Sequence, residues 1–167
     1  VNKVFVLDTQ KRPLVPVHPG HARLLLKEGK AAIFRRYPFT IIRKAAGSAV
    51  QPEPLRVKID LGSRTTGLAL VNDRTGEVVW AGEITHRGGA IRHALLTRRA
   101  RRRSRRTRKT RHRAPRFLNR RRPQGWLPPS LESRVMNVVT WVERLCRVAP
   151  IGAISLEVVR FDTQALQ

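Results

Sequence analysis

The chain has 167 residues, with 35 Lys+Arg against 11 Asp+Glu, a formal net charge of +24 and 5% aromatic residues. That length holds one ordinary domain, or a small domain and part of another. A single cysteine, Cys146, excludes a disulfide framework and a cysteine-rich zinc site, no apolar run reaches the ~18 residues of a membrane span, and so few aromatics argue against a base-stacking sheet platform.

Residues 1–44 read as a compact unit. It contains a strand over Val4 to Leu7, the turn-rich PLVP of Pro13 to Pro16, a helix from about Pro19 to Glu28, and strands near Ala31 to Arg35 and Phe39 to Arg43. Pro19 suits a first helical turn and Gly29 a C-terminal cap. His18 and His21, three apart near the helix start, lack partner carboxylates or cysteines and read as loop and cap residues rather than metal ligands. The prolines and small residues of 45–55 mark a linker.

From Arg56, VKIDLGSRTTGLALVNDRTGEVVWAGEI predicts an antiparallel meander over 56–86, with Asp73, Arg74, Thr75 and Gly76 as a hairpin turn. Residues 87–122 then break the pattern. Between Glu83 and Glu132 there is no acid at all, and the run from Arg98 to Arg122 carries fourteen arginines and one lysine: Arg98, Arg99, Arg101, Arg102, Arg103, Arg105, Arg106, Arg108, Lys109, Arg111, Arg113, Arg116, Arg120, Arg121 and Arg122. With Arg87 and Arg92 the segment supplies +17 of the +24. A guanidinium grips phosphate bidentately and stacks on bases, so nucleic acid is the first partner this composition predicts.

Gly88 and Gly89 read as a start signal for a helix over about Ala90 to Arg113, stopped where Pro115 restricts Ala114. Its like-charge pairs three and four apart would cost roughly 3 to 6 kcal/mol, so phosphate must surround it for it to be stable. A disordered basic tail or a localisation signal is the plainer reading of such a run. In 123–167 a helix is expected from about Ser130 as N-cap, with Val135, Val138, Val139, Val142 and Leu145 on one face and Cys146 buried beside them. Ile151 to Val158 has the pattern of a buried strand.

Two acids fall inside strands that otherwise read as core: Asp60 in VKIDLG and Glu157 in AISLEV. Burying them would require pairing or a metal, and a structural salt bridge to one of the many arginines is the simplest compensation. Asp60 is followed by Gly62, Ser63, Thr65, Thr66 and Gly67, and an acid at a strand end before a small-residue turn leaves room for a metal and a phosphate. Actin-like ATPases and RNase H-like nucleases both use that pattern. The basic insert favours a nuclease, which must hold a polyanion.

Taken together, the chain resembles the transposon-encoded IscB and IsrB proteins. PLVP is similar to that family's PLMP signature with Val15 for Met, KIDLGSRTTGLAL resembles its first RuvC segment, RRARRR at Arg98 to Arg103 its RRxRR bridge helix, and AISLEVVRFDTQAL its second RuvC segment. The resemblance implies an α+β fold: a small PLMP-like βαββ domain (1–44), a linker (45–55), RuvC-like segment I of an RNase H-like fold (56–86), an arginine-rich bridge helix and basic linker (87–122), and RuvC-like segment II (123–167). It implies that Asp60 and Glu157 are catalytic ligands of Mg²⁺ (or Mn²⁺), and that the basic residues bind a guide RNA whose pairing with target DNA directs cleavage or nicking. It implies a protein monomeric within a cytoplasmic, prokaryotic ribonucleoprotein acting at the nucleoid. The family's third acid has no counterpart here, since Asp162 lies only five residues beyond Glu157 and reads as structural or RNA-contacting. This chain alone is therefore expected to bind RNA without cutting DNA. A non-catalytic, ribosomal-protein-like RNA binder is the alternative, and an actin-like ATPase a more distant one.

Overall fold

The computed structural model describes residues 2–45, 52–108 and 121–157. Its elements are β1 (Phe5–Leu7), α1 (Pro19–Lys27), β2 (Ala31–Arg35), β3 (Thr40–Arg43), β4 (Leu55–Leu61), β5 (Thr65–Asn72), β6 (Val78–Thr85), α2 (Gly88–Thr107), α3 (Pro129–Cys146) and β7 (Ile151–Glu157). The class is mixed α+β, with two small mixed sheets and three helices among the described residues. Two compact units result, one of residues 1–85 with 138–167 and the other of residues 86–137. Among the described residues no helix is long and apolar enough to cross a membrane.

The first unit begins with β1, α1, β2 and β3, forming a three-stranded sheet of order β1-β3-β2. His18 caps α1, its Nδ1 accepting from the Gly20 N–H at 3.1 Å, and Pro19 opens the helix, as its fixed φ and missing donor allow. The segment after β1 folds back on it through paired Val4 and Val17 and a Leu7–Pro13 bridge.

The second sheet has the order β6-β5-β4-β7. The β4, β5 and β6 meander is antiparallel throughout, and Asn72 to Gly76 make its hairpin turn, with Gly76 at φ +71°. β7 joins β4 in parallel, a connection that needs a crossover, which α3 supplies. Along β4 the alternation is strict at Leu55, Val57 and Ile59, which are buried with Leu68, Leu70 and Val79 under Val138, Trp141, Val142 and Leu145 of α3. Phe5 enters the same core, 6.3 Å from the Trp80 ring, and Lys3 N–H donates to the Val79 carbonyl at 2.8 Å, so both sheets belong to one packed unit.

Several local expectations change. Helix α3 starts at Pro129, one residue before Ser130, because Pro128 accepts the first-turn N–H groups of Leu131 and Glu132. Its apolar stripe runs through 138, 141, 142 and 145, which leaves Val135, Val139 and Cys146 exposed rather than in the core. β7 is an edge strand, not a buried one, with Ile154 and Leu156 about half exposed. In the second unit Gly88 and Gly89 are the first residues of α2, and the helix ends at Thr107 because Arg108 adopts an extended conformation at ψ 123°, six residues before the expected Arg113.

Candidate functional site

The parallel pairing of β4 with β7 brings Asp60 opposite Glu157, Cα partners on neighbouring strands. Paired residues of adjacent strands share a face, so both carboxylates stand on the side of the sheet away from α3. Both are exposed. The expectation that these acids are buried in core strands is therefore wrong: the apolar neighbours Ile59 and Leu68 point to the other side. The compensating salt bridge is also missing, since among the described residues neither acid has an ion-pair partner.

The turn after Asp60 is sterically defined. A Cβ on Gly62 would lie 2.1 Å from the Thr65 carbonyl oxygen, so only glycine lets the chain turn back into β5 there. Thr66 is fully buried and Gly67 pairs with Asp60 on the next strand. Gly67 contributes no side chain, which leaves the acid pair beside an open concavity of about 650 Å³. Ala69 and Ala81 keep its floor low, and Lys58 and Ser155 lie one pleat below the acids on the same face.

A third carboxylate, Glu83, lies in the same row, because Asp60 pairs with Gly67 and Gly67 with Glu83. It is absent from the candidates that sequence reasoning produced. The signal available was the period of two in β6, which puts Ala81 and Glu83 on one face, but the row needed the hairpin register. Two strand spacings, about 9.6 Å, separate it from Asp60. Among the described residues no three acidic, histidine or cysteine side chains come close enough to hold a metal together. Asp60 and Glu157 alone offer neighbouring hard oxygen donors, a donor set that suits Mg²⁺ or Mn²⁺ as part of a larger shell.

The arginines sit in the second unit. Helix α2 buries none of its 20 residues and has no ion pair among the described residues, as an acid-free sequence dictates. Its length is about 30 Å. Leu95, Arg99, Arg102, Arg103 and Arg106 line one shallow groove, and Arg101, Arg105 and Arg108 line another on a different face with Ala100 and Ser104 between them. The helix thus presents guanidinium forks in two directions, each able to take phosphate. Arg122 lies over the Trp126 ring at 4.1 Å, a cation–π contact in the same unit. Lys109, Arg111, Arg113, Arg116, Arg120 and Asp162 lie outside the described residues.

His86, between β6 and α2, has its pKa held below the usual 6.5, first by burial and then by the charge of Arg134.

No curated protein matches this chain. A family model described as RRXRR protein matches residues 4–167, nearly the whole length and including the Arg98 to Arg102 run for which such a name is apt. The chain belongs to the RRXRR protein family.

Proposed function

We propose that this chain is the N-terminal part of an IscB- or IsrB-like RNA-guided DNA endonuclease or nickase, in which a RuvC-like site on the four-stranded sheet cuts DNA and α2 holds guide RNA. Membership of the RRXRR family is consistent with an IscB-like nuclease. The observation that carries the reading is the parallel register of Asp60 with Glu157 on an exposed sheet face. Two acids on neighbouring strands, neither in an ion pair among the described residues, would repel a DNA backbone on their own. They invite a divalent cation between themselves and phosphate.

Asp60 and Glu157 would supply hard oxygen ligands from adjacent strands, held in place by the core behind them. Mg²⁺ or Mn²⁺ bound there would activate water and stabilise the leaving oxygen of a phosphodiester. The turn at Gly62 and the bare Gly67 keep the approach open. The arginines of α2 bind the phosphates of the RNA, whose base pairing reads the target. The rival reading as a non-catalytic RNA binder expects both acids to be consumed in salt bridges, and neither is among the described residues.

The test is a nicking assay of the complete ribonucleoprotein with Mg²⁺. Asp60→Ala and Glu157→Ala should each abolish cutting of one strand and leave RNA affinity within about twofold of wild type. Undiminished nicking by either variant would refute the assignment. Residues 1–167 by themselves should bind RNA but fail to nick, since two ligands hold the cation weakly.

A further inference from the structure

Tyr37, in the turn between β2 and β3, is 67% exposed, whereas Phe5 and Trp80 are almost wholly buried. Its position is nevertheless defined. The ring meets Trp141 of α3 edge to face, centroids 5.5 Å apart and planes at 84°, and the next residue, Pro38, is buried. Trp141 itself is partly buried and packs against the core that contains Leu145. The Arg144 guanidinium lies over that indole, 5.1 Å from the ring centroid. All three residues belong to the first unit.

Hydrophobic burial does not account for this arrangement, because a tyrosine two-thirds in water has gained little from leaving it. An edge-to-face contact occupies one side of the tyrosine ring. At this exposure at least one broad face stays open. Exposed Arg36 precedes Tyr37 in the chain, and among the described residues neither Arg36 nor Arg144 has an ion-pair partner. A preorganised π face beside unpaired guanidinium groups matches a ligand with both an aromatic ring and a negative charge. A nucleotide has both, whereas an acidic peptide supplies the charge without the ring.

We propose that Tyr37, Trp141 and Arg144 form a stacking site for one unpaired base of single-stranded RNA, with the base on the free face of Tyr37 and the adjoining phosphate on Arg144. Unpaired bases in loops and bulges are the parts of RNA that proteins reach by stacking. The site uses no residue of the arginine helix or of the acid pair, and it stands whether or not the nuclease reading does. The stack itself is insensitive to salt, whereas the phosphate on Arg144 is not.

The experiment measures the affinity of the 167-residue chain for a short single-stranded RNA and for a blunt RNA duplex of equal length, over a salt series. Tyr37→Ala should weaken single-strand binding about fivefold to a hundredfold, the range expected for removal of one stack, without changing the slope of log K against log salt. Tyr37→Phe should restore binding to within about twofold, since stacking needs the ring and not the hydroxyl. Arg144→Gln should lower the slope by about 0.7. Duplex binding should be the same for wild type and Tyr37→Ala. Single-strand affinity unchanged in Tyr37→Ala would overturn the proposal, as would an equal loss on duplex or failure of Tyr37→Phe to restore binding.

Discussion

In the four-stranded sheet and the helix packed on it, Val57, Leu70 and Leu145 of α3 are wholly buried, while α2, 20 residues long, buries nothing. The sheet is held by hydrophobic packing and can present two like charges, Asp60 and Glu157, because the core behind them supplies the stability. The helix has no core to draw on and concentrates like charge along its own length. Its i,i+4 pairs Arg98–Arg102, Arg99–Arg103, Arg101–Arg105 and Arg102–Arg106 each cost about 0.2 to 0.5 kcal/mol, which phosphate would relieve. One region is held by its own core, and the other carries its charge without one.

The contrast is broken most severely at the core. Leu145→Ala should destabilise the first unit by about 2 to 5 kcal/mol, through reduced burial and a cavity beneath β4, as read from urea unfolding. If stability falls by less than about 1 kcal/mol, the sheet does not depend on α3 as described. In α2, replacing Arg102, Arg103 and Arg106 together with Ala should leave that unfolding transition unchanged. RNA binding should instead weaken, with the salt slope reduced by about 0.7 to 0.9 for each phosphate that is no longer neutralised. Circular dichroism sharpens the same contrast, since RNA should raise the helicity of wild type more than that of the triple variant.

A smaller effect is expected at the turn. Gly62→Ala places a methyl group against the Thr65 carbonyl and should cost about 1 to 3 kcal/mol, with a matching loss of nicking in the complete protein because Asp60 shifts with the strand end. Wild-type stability and activity in this variant would show that the turn can relax. The smallest concerns His86. Its pKa is lowered in the folded state, so the unfolded chain binds the extra proton more readily and stability is greatest above the ordinary 6.5. Stability should decline as pH falls through that value towards the depressed folded pKa, and His86→Gln should flatten the decline that begins at about pH 6.5. A steeper profile in the variant would reverse the sign assigned to burial and Arg134.

Period and punctuation made much of the fold legible. The apolar alternation of β4, the Asp73 to Gly76 turn and Pro19 at a helix start all act within a few residues of themselves, and each appears where the local pattern puts it. Patterns that depend on neighbours were harder to read. Glu157 and Asp60 looked buried because Ile59, Leu61, Leu156 and Ile154 surround them in sequence, yet strand alternation sends the acids to the open face. Val135, Val139 and Cys146 looked like core because their spacing fits a helix, but α3 offers its partner only a narrow stripe through 138, 141, 142 and 145. The end of α2 at Thr107 was hidden for a different reason: Pro115 is the first local stop signal in the run, and no glycine or proline marks Arg108 as the residue that turns extended.

The sequence by itself determined that the charge is local, that arginine rather than lysine carries it, and that two acids lie in apolar strands, Asp60 before a turn of small residues. These are properties of composition and short-range order, and they need no knowledge of distant contacts. Only the tertiary structure decided that Asp60 faces Glu157 across a parallel pair, that Glu83 joins their row two strands away, and that Tyr37 rests on Trp141. Each of these joins residues far apart in the chain, and strand register, which a slip of one residue would invert, is set by packing of the whole sheet against α3 rather than by any one segment.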